Sequence, residues 1–218
     1  MPAYHPGPEV LLDYAAGALP EPVALLVATH ASLCRDCQAE IERLEALGGA
    51  LFDTLEGEPL DDGALDRALA RLERPESPTT REAPEAAAET GDPRVPRPLR
   101  GYLGKRLDDL AWKSRGSVAE FALLAEHPGF TTRLLRIKGG TALPQHTHEG
   151  SEYTLLLAGG FSDESGHYVT GDVAVADSSV DHQPVADPGE DCLCLAVTDA
   201  PLRLSGRFGR YLNFIVRL

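Results

Sequence analysis

The residues best equipped for chemistry in this chain are its histidines and cysteines, which fall into two groups. The first reads His30-Ala31-Ser32-Leu33-Cys34-Arg35-Asp36-Cys37, an H-x3-C-x2-C spacing. It puts two soft sulfurs and one imidazole close together between two helical segments, a donor set that suits zinc. Structural zinc sites take four N or S ligands, and His5 is the one other histidine or cysteine before residue 75. His30, Cys34, Cys37 and His5 are therefore the expected ligands. A site closed by four protein donors leaves no position for water, so it would staple helices together and not catalyse. The competing readings are packed core thiols or a redox C-x2-C pair. A redox pair of the thioredoxin kind needs a βαβ setting, whereas this segment lies among helical patterns.

The second group spans Gly140 to Gly159 and reads G-x5-H-x-H-x3-E-x6-G, with His146, His148 and Glu152 at its polar positions. Alternate residues of a strand share a face, so His146 and His148 point the same way and Glu152 returns at the start of the next strand. Asp181-His182-Gln183-Pro184 supplies a further histidine, and His182 completes the set. Two histidines and a glutamate facing a barrel interior would be costly unless ligated or hydrogen-bonded. Three histidines and a carboxylate suit zinc, iron, manganese or nickel alike. Glu149, between the ligands, is either an outer acid or a solvated loop carboxylate. Cys192 and Cys194 share a strand face, as core residues or as a redox pair. His127 and His167 match neither site and read as surface or loop residues.

The elements that must position these groups change character along the chain. Residues 8 to 73 carry helical periodicity: Val10, Leu11, Tyr14 and Ala15 share one face, and Ile41, Leu44, Leu47 and Leu51 recur at three- and four-residue steps. Gly17 and Pro20 separate a first helix from a second that runs to about His30, and Asp61 or Asp62 can cap a last helix ending near Leu72. Four short helices are expected. The apolar face Leu65, Leu69 and Leu72 of the last one either binds a partner or packs on its own bundle. From Pro75 to Pro98 the chain turns Pro-, Glu-, Ala- and Thr-rich with Val95 as its single large aliphatic residue, which reads as a linker. Beyond it the period becomes two, with β-rich runs at Phe121–Ala125, Thr131–Ile137, Tyr153–Ala158, Val173–Val175 and Cys192–Val197 separated by glycine turns. Many short strands without amphipathic helices between them indicate an antiparallel sandwich or barrel. The expected division is a helical domain over 1–74, a linker over 75–98 and an all-β domain over 99–218.

Composition narrows the function classes. A formal net charge of −14 opposes direct contact with a phosphate backbone, so nucleic acid is not an expected partner. The strongest apolar run, Val23 to Ala28, is far too short to span a membrane. The start Met1-Pro2-Ala3-Tyr4-His5 has no basic and apolar leader, so a cytoplasmic protein with reduced cysteines is expected.

His5, the run Leu11-Leu12-Asp13-Tyr14-Ala15-Ala16-Gly17-Ala18-Leu19 and the H-x3-C-x2-C together resemble the zinc-binding domain of ChrR-type anti-sigma factors. The resemblance covers roughly the first seventy residues. It departs at Pro6, beside a single histidine where relatives often carry two. The His146, His148 and Glu152 segment resembles the first motif of the cupin fold. The segment around His182 resembles the second motif less closely, for it lacks the usual P-x-G turn. The resemblance implies a zinc-stapled all-α bundle followed by a cupin barrel or jelly roll, with zinc in both sites and two ions per chain. It also implies a 1:1 complex with an extracytoplasmic-function sigma factor of group IV, released on an oxidative signal such as singlet oxygen or peroxide. The alternative is a cupin dioxygenase or isomerase whose zinc domain only mediates interaction.

Overall fold

The computed structural model describes residues 1–72, 91–125 and 127–205. Four helices lead the chain, as the periodicity predicts: α1 (Pro8–Ala15), α2 (Glu21–Ala31), α3 (Arg35–Phe52) and α4 (Ala64–Leu72). Proline sits in the first turn of α1 and of α2, where its missing N–H has no intrahelical acceptor to lose. Leu25, Leu26 and Val27 make α2 the best-buried helix, and α1 adds Val10 and Leu11. The apolar stripe of α3 behaves differently along its length. Ile41 is buried and Leu44 packs on the core, but Leu47 and Leu51 are 50% and 60% exposed. Helix α4 buries no residue at all, and the Asp61 carboxylate expected to cap it is taken by Arg67. No helix among the described residues is long and apolar enough to cross a membrane.

Most of the expected linker lies outside the described residues, but its end is packed. Val95 is 1% exposed, and the short helix α5 (Arg97–Leu103) buries Leu99 and Leu103 against α2. Asp92 anchors this stretch: its buried carboxylate accepts hydrogen bonds from the Arg94 guanidinium and from the backbone N–H groups of Arg94 and Leu107. Those bonds hold its pKa well below the usual carboxylate range.

Among the described residues twelve strands follow, and every pairing between them is antiparallel. In chain order they are β1 (Lys113–Arg115), β2 (Val118–Leu123), β3 (Thr131–Ile137), β4 (His146–His148), β5 (Glu152–Ala158) and β6 (Gly160–Asp163). Then come β7 (Gly166–Val169), β8 (Val173–Ala176), β9 (Asp181–His182), β10 (Val185–Ala186), β11 (Cys192–Thr198) and β12 (Leu202–Leu204). Strands β1-β2-β3-β11-β5-β8 form one sheet, and β10-β6-β7 and β12-β4-β9 form two smaller ones. The run expected at Phe121–Ala125 starts earlier, at Val118, and stops at Leu123 because Leu124 turns to φ +47°. The β6–β7 hairpin was not foreseeable from patterning, since Gly160-Phe161-Ser162-Asp163 has no apolar alternation.

Strand β11 explains how the two halves fit. Cys192 and Cys194 belong to the apolar interior of the barrel with Ile137, Leu156, Phe161 and Tyr168, whereas Leu193, Leu195 and Val197 join the core that includes α1, α2 and α5. A strand covered on both faces reads as an unbroken apolar run, and Cys192-Leu193-Cys194-Leu195-Ala196-Val197 is one. The helices thus use the outer face of the large sheet as their floor.

Candidate metal centres

The first group assembles as spacing requires. His30 sits in the last turn of α2, Cys34 is the residue that opens α3, Cys37 lies one turn into α3, and His5 precedes α1. His5 Nδ1 lies 3.4 Å from each of His30 Nε2, Cys34 Sγ and Cys37 Sγ, and His30 Nε2 is 3.2 Å from Cys37 Sγ. All four donors fall within 4.8 Å of one another. Donors on a tetrahedron with metal bonds of about 2.0–2.3 Å are separated by about 3.3–3.8 Å, so this clip has the dimensions of a tetrahedral zinc site. The His30 tautomer is fixed from the other side. Its Nδ1–H donates to the Gly171 carbonyl at 2.8 Å, which leaves the Nε2 lone pair for a metal. Burial lowers the His30 pKa, and burial together with the Cys34 thiol pushes Cys37 up to about 12. Both shifts have burial as their largest cause, which disfavours the charged form of each side chain.

In the second group, His146 and His148 project from β4 to the same side, and His182 pairs directly opposite His146 on β9. The three Nε2 atoms converge, with His182 at 3.2 Å from both His146 and His148. His146 Nδ1 donates to the Pro144 carbonyl at 2.8 Å and His182 Nδ1 to the Asp163 carboxylate at 2.7 Å. Acceptors on the Nδ1 side again aim Nε2 inward. Burial lowers the pKa of His146 and His148, which keeps them neutral and able to ligate. Glu152, the expected fourth ligand, is in the same cavity wall but not among the converging nitrogens. Its Oε1 accepts from Thr154 Oγ1 at 2.9 Å, and its Oε2 lies 3.4 Å from His148 Nδ1, a buried atom left without a hydrogen bond. Three imidazoles with Glu152 alongside form a cup that fits a divalent transition metal.

The cup opens on a cavity of about 120 Å³ lined by Ile137, Phe161, Ala186 and Cys194 besides the metal-facing residues. Cys192 and Cys194 are free, buried thiols, and Cys194 donates to Cys192, which lowers the pKa of Cys192 and raises that of Cys194. Glu149 forms an ion pair with Arg203 on β12. His127 sits in the turn after β2 against Phe130, and His167 on β7 pairs with Asp187. Sequence reasoning missed Asp163, Asp172 and Gly171. Their partners are distant in sequence, and only the turn signature Asp163-Glu164-Ser165-Gly166 hinted at the first.

Fold and sites define a class: a helical metal-clip module seated on a cupin barrel with a histidine cup. A family described as the ChrR cupin-like domain matches residues 103–201. The anti-sigma-E factor ChrR of Cereibacter sphaeroides is 43% identical over 202 residues, covering 93% of this chain and 92% of that protein. The crystal structure of Rhodobacter sphaeroides SigE in complex with the anti-sigma ChrR superposes with a TM-score of 0.78 at 40% identity, over 91% of this chain and 100% of that one. The chain belongs to the ChrR family of anti-sigma factors.

Proposed function

We propose that this protein sequesters an extracytoplasmic-function sigma factor of group IV in a 1:1 complex and releases it on an oxidative signal. The observation that carries this reading is the uncovered apolar surface of the helical half. Leu47, Leu51 and Phe52 of α3 and Leu65, Leu69 and Leu72 of α4 are all exposed, from 49% at Leu69 to 83% at Leu72. Apolar side chains left open in such numbers mark a protein-binding surface. Of the two expectations for α4, the absence of any buried residue on it supports partner binding. The relatives point the same way: one is an anti-sigma-E factor, and the solved ChrR structure is a complex with SigE.

In this reading residues 1–74 form the capturing domain, with zinc held by His5, His30, Cys34 and Cys37. Residues 75–98 connect it to the sensing domain, 99–218, whose metal is held by His146, His148 and His182 with Glu152 as fourth ligand. That metal is zinc as well, giving two ions per chain. The protein works in the cytoplasm, contacts neither membrane nor nucleic acid, and acts by covering the sigma factor's polymerase-binding surfaces. Singlet oxygen or a peroxide is the signal class, and no step of catalysis is involved.

Co-expression with the small sigma factor of its own genome tests the capture. The expected result is a copurifying complex of one copy each, and separate elution of the two proteins overturns it. A second reading, a cupin dioxygenase or isomerase, draws on the cavity beside the cup. Turnover of a small substrate or oxygen uptake by iron-loaded protein would favour that reading over regulation.

A further inference from the structure

We infer that the β6–β7 hairpin mechanically links the two metal centres, with Asp163 as positioning residue at the cup and Tyr4 as its contact at the clip. The inference rests on the proposed regulatory reading and names the route by which one centre is felt at the other.

At the cup end, one buried carboxylate does two things. Asp163 Oδ2 accepts the Nδ1–H of His182 at 2.7 Å, while its Oδ1 accepts the backbone N–H of Ser165 at 2.8 Å and of Gly166 at 3.1 Å. The setting of the His182 ring and the shape of the hairpin tip are therefore held by the same group. At the clip end, the tip supports the chain's first residues. A side chain at Gly166 would collide with the Tyr4 hydroxyl, so glycine lets Tyr4 lie against the tip. The Tyr4 ring packs against Tyr168 of β7, with centroids 4.5 Å apart and the planes inclined at 48°.

The turn that follows grips the backbone of the same segment. Asp172 Oδ1 accepts the N–H of Ala3 at 2.6 Å and of Tyr4 at 3.1 Å, Asp172 Oδ2 accepts the N–H of Val169 at 2.8 Å, and Val173 N–H donates to the Tyr4 carbonyl at 3.1 Å. The next residue is His5. Gly171, in the same turn, accepts the Nδ1–H of His30. Two of the four clip donors are thus oriented by residues 160–173, and the far end of that stretch orients a cup donor. Close-packed contacts of this kind shift as units, so a change in how His182 is held reaches Tyr4 and His5 through the tip.

Coupling between binding sites is reciprocal and is typically about 5- to 150-fold in affinity. Cobalt(II) provides the probe, because only the clip carries cysteine donors and sulfur-to-cobalt absorption therefore reports the clip alone. Competition of the full-length protein against a chelator gives the clip's cobalt affinity, with metal analysis reporting cup occupancy. His146→Ala, which empties the cup, is expected to lower clip affinity at least about fivefold. Asp163→Asn keeps an acceptor for the tip but presents an NH2 to the His182 Nδ1–H; it is expected to produce a similar loss, and the double variant no further loss. Tyr4→Ala alters a partly exposed residue outside both donor sets, and in its background emptying the cup is expected to leave the clip unchanged.

A clip affinity within twofold of the unmodified protein after His146→Ala overturns the inference, and so do independent, multiplying effects of His146→Ala and Asp163→Asn. Should Asp163→Asn fail to fold, the Tyr4→Ala comparison decides alone. Sigma capture is not read in this experiment, so the coupling can fail while the capture reading stands. Loss of capture with coupling intact overturns that reading instead.

Discussion

The clip and the cup hold metal by opposite strategies. Three clip donors come from one eight-residue run and the fourth from an N-terminal tail, so the site gathers the end of α2, the start of α3 and the segment before α1. The cup donors sit on strands whose register is fixed by a barrel, with His146 facing His182 across a ladder. The clip thus joins separate local segments, whereas the cup takes its donors from paired strands of one barrel. In the proposed function this difference suits a staple on one side and a sensor on the other.

The comparison breaks most visibly if the two sites respond alike to ligand removal. Cys37→Ala or His30→Ala is expected to melt the N-terminal helices, since structural zinc contributes about 10–16 kcal/mol in small folded units. Circular dichroism should show the helical loss with the β signal retained. His146→Ala should leave both signals in place while the metal count falls.

Next in size is the surface that the clip displays. Leu65 and Leu69 are 68% and 49% exposed, so Leu65→Glu with Leu69→Glu should abolish sigma capture in a pull-down. Stability should move by less than about 0.5 kcal/mol per substitution, as for open surface positions. A melting-temperature collapse would mean that α4 packs on its own bundle after all.

A pH titration of metal affinity sharpens the contrast further. The Cys37 thiol, pushed up to about 12, must lose its proton to ligate, so clip affinity should rise about tenfold per pH unit for that proton and fall in acid. Burial pushes His146 and His148 below the ordinary histidine value, so these ligands are already neutral at pH 7. Their contribution should be flat from pH 7 to 9 and lost only in acid, as the imidazoles protonate. Isothermal titration across pH distinguishes the two slopes.

The smallest expected effect lies between the two regions. Asp92→Ala removes a buried carboxylate with three donors and should cost about 2 kcal/mol, or roughly 6 °C in melting temperature. Because the Arg94 hydrogen bonds depress the Asp92 pKa, its contribution is full above the unfolded value near pH 4 and is lost as pH falls through the folded one.

What the sequence revealed follows from how local each signal is. The H-x3-C-x2-C and H-x-H spacings lie within single turns or strands, so their donors could be named before any fold was known. His5 followed by elimination, and His182 from its setting after the strand turn. Glu152 was harder, because whether a carboxylate joins three imidazoles depends on a rotamer that Thr154 and His148 influence. The roles of Asp163 toward His182 and of Asp172 toward Ala3 and Tyr4 were concealed, since those partners are remote and an aspartate in a turn has a sufficient local explanation. The docking of α2 on β5 and β11 was concealed in the same way: the apolar run of β11 announced burial on two faces, but not what covers the second.

The central claim is that the clip builds the capturing surface while the cup only modulates it. The most direct test is the dissociation constant of the sigma factor, measured for the unmodified protein, for Cys37→Ala and for His146→Ala under reducing, metal-replete conditions. The account predicts that Cys37→Ala loses capture altogether and that His146→Ala still forms the 1:1 complex. Full capture by Cys37→Ala, or its complete loss in a folded His146→Ala, would contradict it.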